Sequence, residues 1–421
     1  MLSVSELKTF YDNLEDRPLE PDDPFYEAYL DKVNDPIKEI VGSIMWAQTD
    51  SVNLLSGQRG NGKSTELRRL RRLLEEAGNV VFLCDMRKYL NLDHPVEITD
   101  FLVSVMLAFS DAVQDKYKKD FTKRGYMEMF QDFLTKTNIE IKGIGAANGM
   151  SVALQRDPDF KRTLQNALRS HVSNFTQQAH DFAQEIVDFV RTKTDDSQKV
   201  VLLLDSVEQI RGIGTNAKAV HESVENLFRH HCDKLRLGNL HTVYTVPPYL
   251  PILAPAISQH LGGGILYQMP NVHVCHRDGT ADPSGLSVME NIIQRRFSEW
   301  QQVFSLDQLQ RIAFVMGGDF RGFFRFIRNL LLRASLYLQL PVEDIINKVA
   351  QDLRSEMLPI PKEDTEWLKN IARSHQAELE SVEELPRLAR FFDSNLVQNY
   401  RNGDDWYDLH PLVRDKIISS Q

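Results

Sequence analysis

The chain has 421 residues, of which 42% are hydrophobic and 26% charged, and its formal net charge at pH 7 is −10. This is the composition of a globular protein with about two or three domains, so a disordered chain or a fibre-forming repeat is excluded. The acidic balance also excludes a chain that binds polyanions over its whole surface.

The N-terminal segment, residues 1–34, is acidic and dotted with prolines, whereas a secretory signal is basic and then apolar. We expect it to form an arm that packs on the core. No apolar run approaches the roughly 18 residues of a membrane-spanning helix, so we expect a cytoplasmic protein without membrane contact. Cys84, Cys232 and Cys275 follow no C-x-x-C pattern, which predicts reduced, buried thiols.

An apolar stretch, residues 52–56, leads into a segment of the form G-x-x-x-x-G-K-S, and leucines at helical spacing follow. A strand, a loop and a helix in this order predict a phosphate site, because glycines let backbone N–H groups approach phosphate oxygens and the helix N-terminus adds a favourable dipole. We expect Lys63 to reach the β- and γ-phosphates of ATP, and Ser64 to ligate Mg²⁺. The predicted cofactor-binding residues are Gly57, Gln58, Arg59, Gly60, Asn61, Gly62, Lys63, Ser64 and Thr65.

The next segments continue an α/β pattern. Residues 79–85 form a predicted buried strand, and residues 96–117 have helical periodicity. Residues 119–198 then make a predicted insertion, in which residues 139–145 alternate like a hairpin strand and residues 159–192 are helical. The insertion is either a sensor or oligomer contact, or a flexible decorated loop.

A further hydrophobic strand, residues 200–204, ends at Asp205. An acidic residue in this Walker B position predicts that Asp205 holds Mg²⁺ opposite Ser64. The catalytic glutamate that usually follows directly is replaced by Ser206, and the nearest carboxylate is that of Glu208. We therefore predict that Glu208 acts as the catalytic base and that hydrolysis is slow. For Asp205, the alternative is a strand-end acid that only caps a turn.

A third strand, residues 241–246, follows a helix predicted over residues 217–235 and carries Thr245 near its end. Farther on, Gly-Gly-Asp-Phe-Arg at residues 317–321 opens a helix with one apolar face. Thr245 resembles sensor 1 of AAA+ ATPases, and Arg321 resembles the sensor 2 arginine, which reaches the γ-phosphate from a helical lid. The alternative for Arg321 is an exposed arginine beside a helix capped by Asp319.

The order of these pieces resembles a P-loop ATPase of the AAA+/STAND group, which is related to origin-recognition initiators. The resemblance covers about residues 30–421 and implies an α/β fold: a P-loop NTPase core with a parallel sheet, a small α-helical lid and a C-terminal winged-helix-like module. It also implies homo-oligomers in which a neighbour supplies an arginine finger. Arg236 is the candidate, with Arg229 close by, and a solvated arginine is the alternative for either.

The predicted domains are the arm over residues 1–34, the ATPase core over residues 35–300, the lid over residues 301–358 and the winged-helix-like module over residues 359–421. A wing suggests DNA binding, but residues 361–421 contain 8 Lys and Arg against 12 Asp and Glu, a balance that disfavours phosphate binding. Histidine and cysteine clusters at residues 230–232 and 273–276 match no standard zinc spacing, so we expect them to pack locally.

Two functions are consistent with these patterns. The first is a regulatory ATPase that uses ATP and Mg²⁺, whose nucleotide state controls assembly and signalling to a protein partner, with bacterial defence or a stress response as a setting suggested by fold analogy alone. The second is a DNA-binding ATPase of initiator or transposition type. A P-loop kinase is a third, weaker alternative, because it would have neither sensor 2 nor the C-terminal module.

Overall fold

The computed structural model describes residues 2–30, 35–118, 130–132, 135–136, 147–195, 197–212, 214–261, 264–337 and 339–419. The chain divides into two compact units. The first contains Met1–Asp35, Gly57–Thr65 and Met269–Gln421, and the second contains Pro36–Ser56 and Glu66–Gln268. The hairpin strand predicted at residues 139–145 lies outside the described residues, and the predicted domain boundaries stay a prediction.

The second unit is built on a five-stranded sheet with the order β2-β3-β4-β1-β5. Its strands are β1 (Ser51–Gly57), β2 (Val80–Asp85), β3 (Val200–Asp205), β4 (Leu240–Val246) and β5 (Leu266–Met269). The pairs β2–β3, β3–β4 and β1–β4 are parallel. A parallel sheet is covered on both faces, and β1, β3 and β4 are accordingly buried throughout. The predicted fold class is confirmed.

Helices flank this sheet. They are α2 (Pro36–Trp46), α3 (Lys63–Glu76), α4 (Ile98–Tyr117), α5 (Ala147–Arg156), α6 (Pro158–Leu168), α7 (Val172–Lys193), α8 (Ala217–Glu225) and the short α9 (Leu250–Leu253). The helical prediction for residues 159–192 is confirmed by α6 and α7. Among the described helices, none is long and apolar enough to span a membrane.

The helix predicted over residues 217–235 is shorter than expected. It ends at Glu225, a π-helical turn covers Asn226–His230, and a separate 3₁₀ turn covers Cys232–Leu235. His231 between them has φ −123° and ψ 19°, which lies outside the α region and breaks the helix. Apolar periodicity does not reveal such a change of winding, because the buried face continues across it.

The first unit is mainly helical. Its N-terminal helix α1 (Val4–Asn13) is capped by Ser3 in a capping box with Glu6. It packs with α10 (Pro283–Arg296), α11 (Leu306–Val315), α12 (Phe320–Leu336) and α13 (Val342–Glu356) around one apolar core. Phe10 of α1 stacks on Phe297 with ring centroids 4.7 Å apart. Within the predicted arm, Val4–Asn13 thus forms a capped helix that belongs to this core.

The C-terminal part of the first unit contains α14 (Lys362–Ser374), α15 (Leu385–Asp393), an antiparallel hairpin and α16 (Pro411–Ser419). The hairpin strands are β6 (Val397–Asn402) and β7 (Asp404–Leu409), and Gly403 turns between them with φ +106°. Only glycine adopts such a φ without strain. The module thus contains the hairpin that a wing would require, whereas its identification as a winged helix stays a prediction.

Candidate functional site

The predicted phosphate loop lies between β1 and α3, as its sequence pattern requires. Gly60 and Gly62 have φ values of +96° and +89°. A Cβ added at Gly60 would lie 2.7 Å from Asp319 Oδ1 and 2.8 Å from the Cβ of Arg321. Glycine at position 60 is therefore required both by the backbone conformation and by the close approach of the helix α12 N-terminus.

Lys63 is the first residue of α3, and its side chain is folded back into the loop. Its Nζ donates to the carbonyl oxygens of Gly57 at 2.8 Å and Gln58 at 2.6 Å, with Asn61 Oδ1 at 3.4 Å. The side chain is buried, with 4% exposure. A phosphate oxygen carries more negative charge than these neutral acceptors, so it would compete well for the ammonium group.

Three residues of the first unit, Tyr29, Leu19 and Met269, hydrogen-bond the loop from outside it. Asn61 Nδ2 donates to Met269 O at 2.7 Å, and Asn61 O accepts from the Tyr29 hydroxyl at 2.7 Å. Farther along, Thr65 Oγ1 accepts from the Leu19 backbone N–H at 3.1 Å. Sequence reasoning missed the two N-terminal contacts, because residues so far apart in the chain share no pattern.

Asp319 and Arg321 lie beside the loop at the start of α12. Asp319 caps this helix by accepting from the N–H groups of Arg321 at 3.2 Å and Gly322 at 2.9 Å. Arg321 Nε donates to Asp16 Oδ2 at 2.6 Å. Arg321 and Arg59 line one cavity of about 580 Å³. The structure thus brings the sensor 2 candidate to the phosphate loop but pairs it with Asp16; its contact with a γ-phosphate stays a prediction.

Asp319 also makes the first unit sensitive to pH. Burial raises its pKa from 3.8 to about 6, although the N–H groups of Gly322 and Arg321 and the Arg321 charge favour the carboxylate. Between these two pH values the folded chain retains a proton that the unfolded chain has released. The free energy of unfolding therefore falls as pH rises through this window, by roughly 3 kcal/mol in all.

We expect Asp319→Asn to remove this pH dependence of the free energy of unfolding, since asparagine can cap a helix but does not titrate. Urea unfolding of wild type and variant at about pH 4 and about pH 6.5 measures the change. The expected result is that wild type loses stability relative to the variant at the higher pH. A difference that is the same at both pH values would mean that Asp319 has the same pKa in the folded and the unfolded chain.

A second group of predicted residues lies in the second unit, at the carboxyl end of β3. Ser206 follows Asp205 with φ +72°, and its N–H donates to Asp205 Oδ1 at 2.8 Å. Thr245 Oγ1 donates to Leu204 O at 3.2 Å and accepts from the Val207 N–H at 3.0 Å. Thr245 therefore positions the turn that carries Glu208, and a direct contact between Thr245 and nucleotide stays a prediction.

Asp85 and Arg87 belong to the same cluster, and sequence reasoning missed both. Asp85 lies opposite Asp205 in the β2–β3 register, and Arg87 Nη2 donates to Asp85 Oδ2 at 2.6 Å. Burial alone would raise the pKa of Asp85, but hydrogen bonds from Arg87 and Ser206 outweigh it and lower this pKa. The Asp85 bond, supported by the charges of Asp205 and Glu208, raises the pKa of Arg87. Arg87 thus offsets the negative charge at this edge of the sheet.

The arginine-finger candidate Arg236 makes a bidentate pair with Asp50, at 2.9 Å and 3.0 Å. Its neighbour Arg229 pairs with Glu225 at 2.7 Å. The role of Arg236 in an assembly stays a prediction.

Cys84, Cys232 and Cys275 are free and buried, as predicted. Within the described ranges, no group of three or more His, Cys, Asp or Glu could hold a metal ion. Mg²⁺ held by Ser64 and Asp205 stays a prediction.

No family model matches the chain, and no curated protein matches it. Solved structures that resemble it include the ADP form of the Aeropyrum pernix ORC2 protein, with 12% identity, a TM-score of 0.44 and 97% of each chain covered. The Walker-type ATPase paby2304 of Pyrococcus abyssi has 12% identity and a TM-score of 0.41, covering 96% of this chain and 99% of that one. Cdc6p from Pyrobaculum aerophilum has 14% identity and a TM-score of 0.34, with the same coverage. This likeness is distant, so the functional proposals depend on the chain's own residues.

Proposed function

We propose that this protein binds ATP and Mg²⁺ at residues 57–65 and acts as a cytoplasmic regulatory ATPase of the AAA+/STAND type. One observation carries the proposal: the Lys63 ammonium group lies inside a glycine-rich loop, at the N-terminus of α3 and directly after β1. That arrangement supplies a mobile cation, backbone N–H groups and a helix dipole for a polyphosphate. Lys63 exchanges its carbonyl partners for the β- and γ-phosphates, while Ser64 and Asp205 hold Mg²⁺.

A regulatory role is supported by the composition of the first unit. It contains the phosphate loop, the α12 N-terminus and the C-terminal module, so a change at the loop has packed partners that can respond to it. Slow hydrolysis suits such a switch, because the bound state lasts longer. It is supported by Ser206 in the position directly after Asp205, which leaves Glu208 as the nearest carboxylate along the chain.

Assembly is the proposed output of the switch. Arg321 and Arg236 are each held by a carboxylate, from Asp16 and Asp50 respectively. In an ATP-bound homo-oligomer, Arg321 turns to the γ-phosphate of its own subunit and Arg236 to that of a neighbour. Because a ligand shifts an equilibrium only through differential affinity, the oligomer must bind ATP more tightly than the monomer. A protein partner reads this state, with defence or a stress response as the proposed setting.

A second candidate is a duplex-binding ATPase of initiator type, and the helix-helix-hairpin order of the C-terminal module favours it. The acidic charge of that module disfavours binding to a DNA duplex. Its hairpin turn is followed by Asp404 and Asp405, and Arg401 lies 3.9 Å from Asp405. The carboxylates at this hairpin tip would repel DNA phosphate groups, which weakens binding to DNA of any sequence.

Calorimetry of the full chain with ATP and Mg²⁺ tests whether the proposed site binds nucleotide. Sedimentation with a non-hydrolysable ATP analogue tests assembly, and fluorescence anisotropy with a random duplex at physiological salt tests the second candidate. We expect ATP binding, nucleotide-dependent association and feeble DNA binding. Absence of ATP binding would refute the nucleotide site, whereas tight, salt-sensitive DNA binding would favour the initiator-type function.

A further inference from the structure

The side chain of Gln58 leaves the phosphate loop and binds the outer edge of the C-terminal hairpin. Its Nε2 donates to Val397 O, and its Oε1 accepts from the Asn399 backbone N–H at 3.2 Å. The Asn271 side-chain amide also donates to Gln58 Oε1, at 3.1 Å. Gln58 is 2% exposed, although a loop residue of a phosphate site has no need to be buried.

These hydrogen bonds replace those that a neighbouring β-strand would make to β6. Along an antiparallel strand, alternate residues direct their N–H and C=O groups away from the partner strand, and β6 does so at positions 397 and 399. The Gln58 amide, with one carbonyl and one NH₂ group, meets the edge as a peptide unit would. The Asn271 N–H pairs with a third group of this edge by donating to Asn399 O at 3.0 Å. Three of the four outward backbone groups at positions 397 and 399 are thereby paired.

Side chains in and just before β6 connect the hairpin to the turn between α11 and α12. Gln398 Nε2 donates to Met316 O at 3.2 Å, and Gln398 Oε1 accepts from the Tyr400 hydroxyl at 2.6 Å. Just before β6, Asn395 Nδ2 donates to Asp319 Oδ2 at 3.1 Å. The hairpin is therefore bound on one side to the phosphate loop and on the other to the helix that carries Arg321.

Two buried amide oxygens in this cluster have no hydrogen-bond partner, those of Asn271 and Asn399. A buried acceptor without a donor destabilises the arrangement that contains it. These two acceptors lower the stability of the amide cluster around Gln58, so less free energy is needed to separate the cluster.

We propose that Gln58 is a positioning residue that couples the occupancy of the phosphate loop to the C-terminal hairpin; this rests on the proposed nucleotide site. In the arrangement seen here, Lys63 Nζ holds the Gln58 carbonyl at 2.6 Å while the Gln58 side chain holds β6. When phosphate draws Lys63 away, the Gln58 peptide loses its charged donor and shifts. The side chain shifts with it, and the edge of β6 is released.

The Asn399 amide reports this release directly, because Gln58 Oε1 is its hydrogen-bond acceptor. Hydrogen exchange of peptides spanning residues 397–402 is measured in the full chain, with and without saturating Mg²⁺ and non-hydrolysable ATP analogue, and calorimetry confirms occupancy in the same samples. We expect nucleotide to accelerate exchange by about threefold to tenfold, the factor that one lost hydrogen bond supplies. In Gln58→Ala, exchange should be fast both with and without added nucleotide, because the acceptor of the Asn399 N–H is missing in either case.

Gln351→Ala is the matched control, because Gln351 is exposed on α13 and should leave the wild-type response intact. Bound nucleotide with unchanged exchange at residues 397–402 in wild type would overturn the coupling and leave the nucleotide site standing. Slow exchange that still responds to nucleotide in Gln58→Ala would also overturn the coupling and leave the nucleotide site standing. If that variant does not fold, the wild-type comparison decides alone. Absence of binding in calorimetry would instead refute the nucleotide site itself.

Discussion

Lys63→Ala is expected to weaken ATP binding by about a hundredfold or more. Charge-assisted hydrogen bonds contribute roughly 1.5–3 kcal/mol each, and in the proposed complex Lys63 makes one to each of two phosphates. Glycine N–H groups and the α3 dipole remain in the variant, so some affinity persists. Calorimetry with ATP and Mg²⁺ measures the change, and AMP, which has neither phosphate that Lys63 is proposed to contact, should bind both proteins equally.

The variant must be shown to be folded, because Lys63 also bonds the carbonyl groups of Gly57 and Gln58. Thermal unfolding and far-ultraviolet circular dichroism serve this purpose. Lys218→Ala is a matched control, since Lys218 is an exposed residue of α8 paired with Glu222 at 3.7 Å. ATP affinity of the wild-type value in a folded Lys63→Ala protein would refute the assignment of the loop.

The parts of the fold that could be predicted are those in which local pattern and packing agree. The β3 run is buried on both faces, so its length and its end at Asp205 can be read from apolar residues alone. The same holds for α12, whose Phe323 and Ile327 are fully buried. In both cases, the apolar residues of the element itself are enough to predict that it is buried.

The rest of the site depends on residues that are distant in the chain. Asp85 is a strand-end acid like Asp205, but only the sheet order places the two side by side. Gln58 occupies a variable position of the phosphate-loop motif, so the motif says nothing of its side chain, whose partners lie more than three hundred residues away in β6. Contacts of this kind follow from tertiary packing and have no signature in local periodicity.

The predicted catalytic base, Glu208, is placed by a sharp backbone turn that directly follows Asp205. With φ +72°, Ser206 has a left-handed backbone conformation that a bulkier residue adopts only with strain. It turns the chain sharply into the 3₁₀ turn Val207–Gln209, and Thr245 holds this turn by accepting from the Val207 N–H. Glu208 therefore follows Asp205 after a fixed turn, half-buried and close enough to Arg87 to raise the pKa of that guanidinium.

We expect Glu208→Gln to slow single-turnover ATP hydrolysis by about a hundredfold, the lower range for loss of a general base, because the amide cannot accept a proton from water. ATP affinity should change little, since glutamine preserves size and the loop supplies the phosphate contacts. Glu222→Gln, on the exposed face of α8, is the matched control and should hydrolyse ATP at the wild-type rate. Equal rates in wild type and Glu208→Gln would instead show that the base lies elsewhere. Glu208 would then serve only as a third carboxylate that interacts with Arg87, beside Asp85 and Asp205.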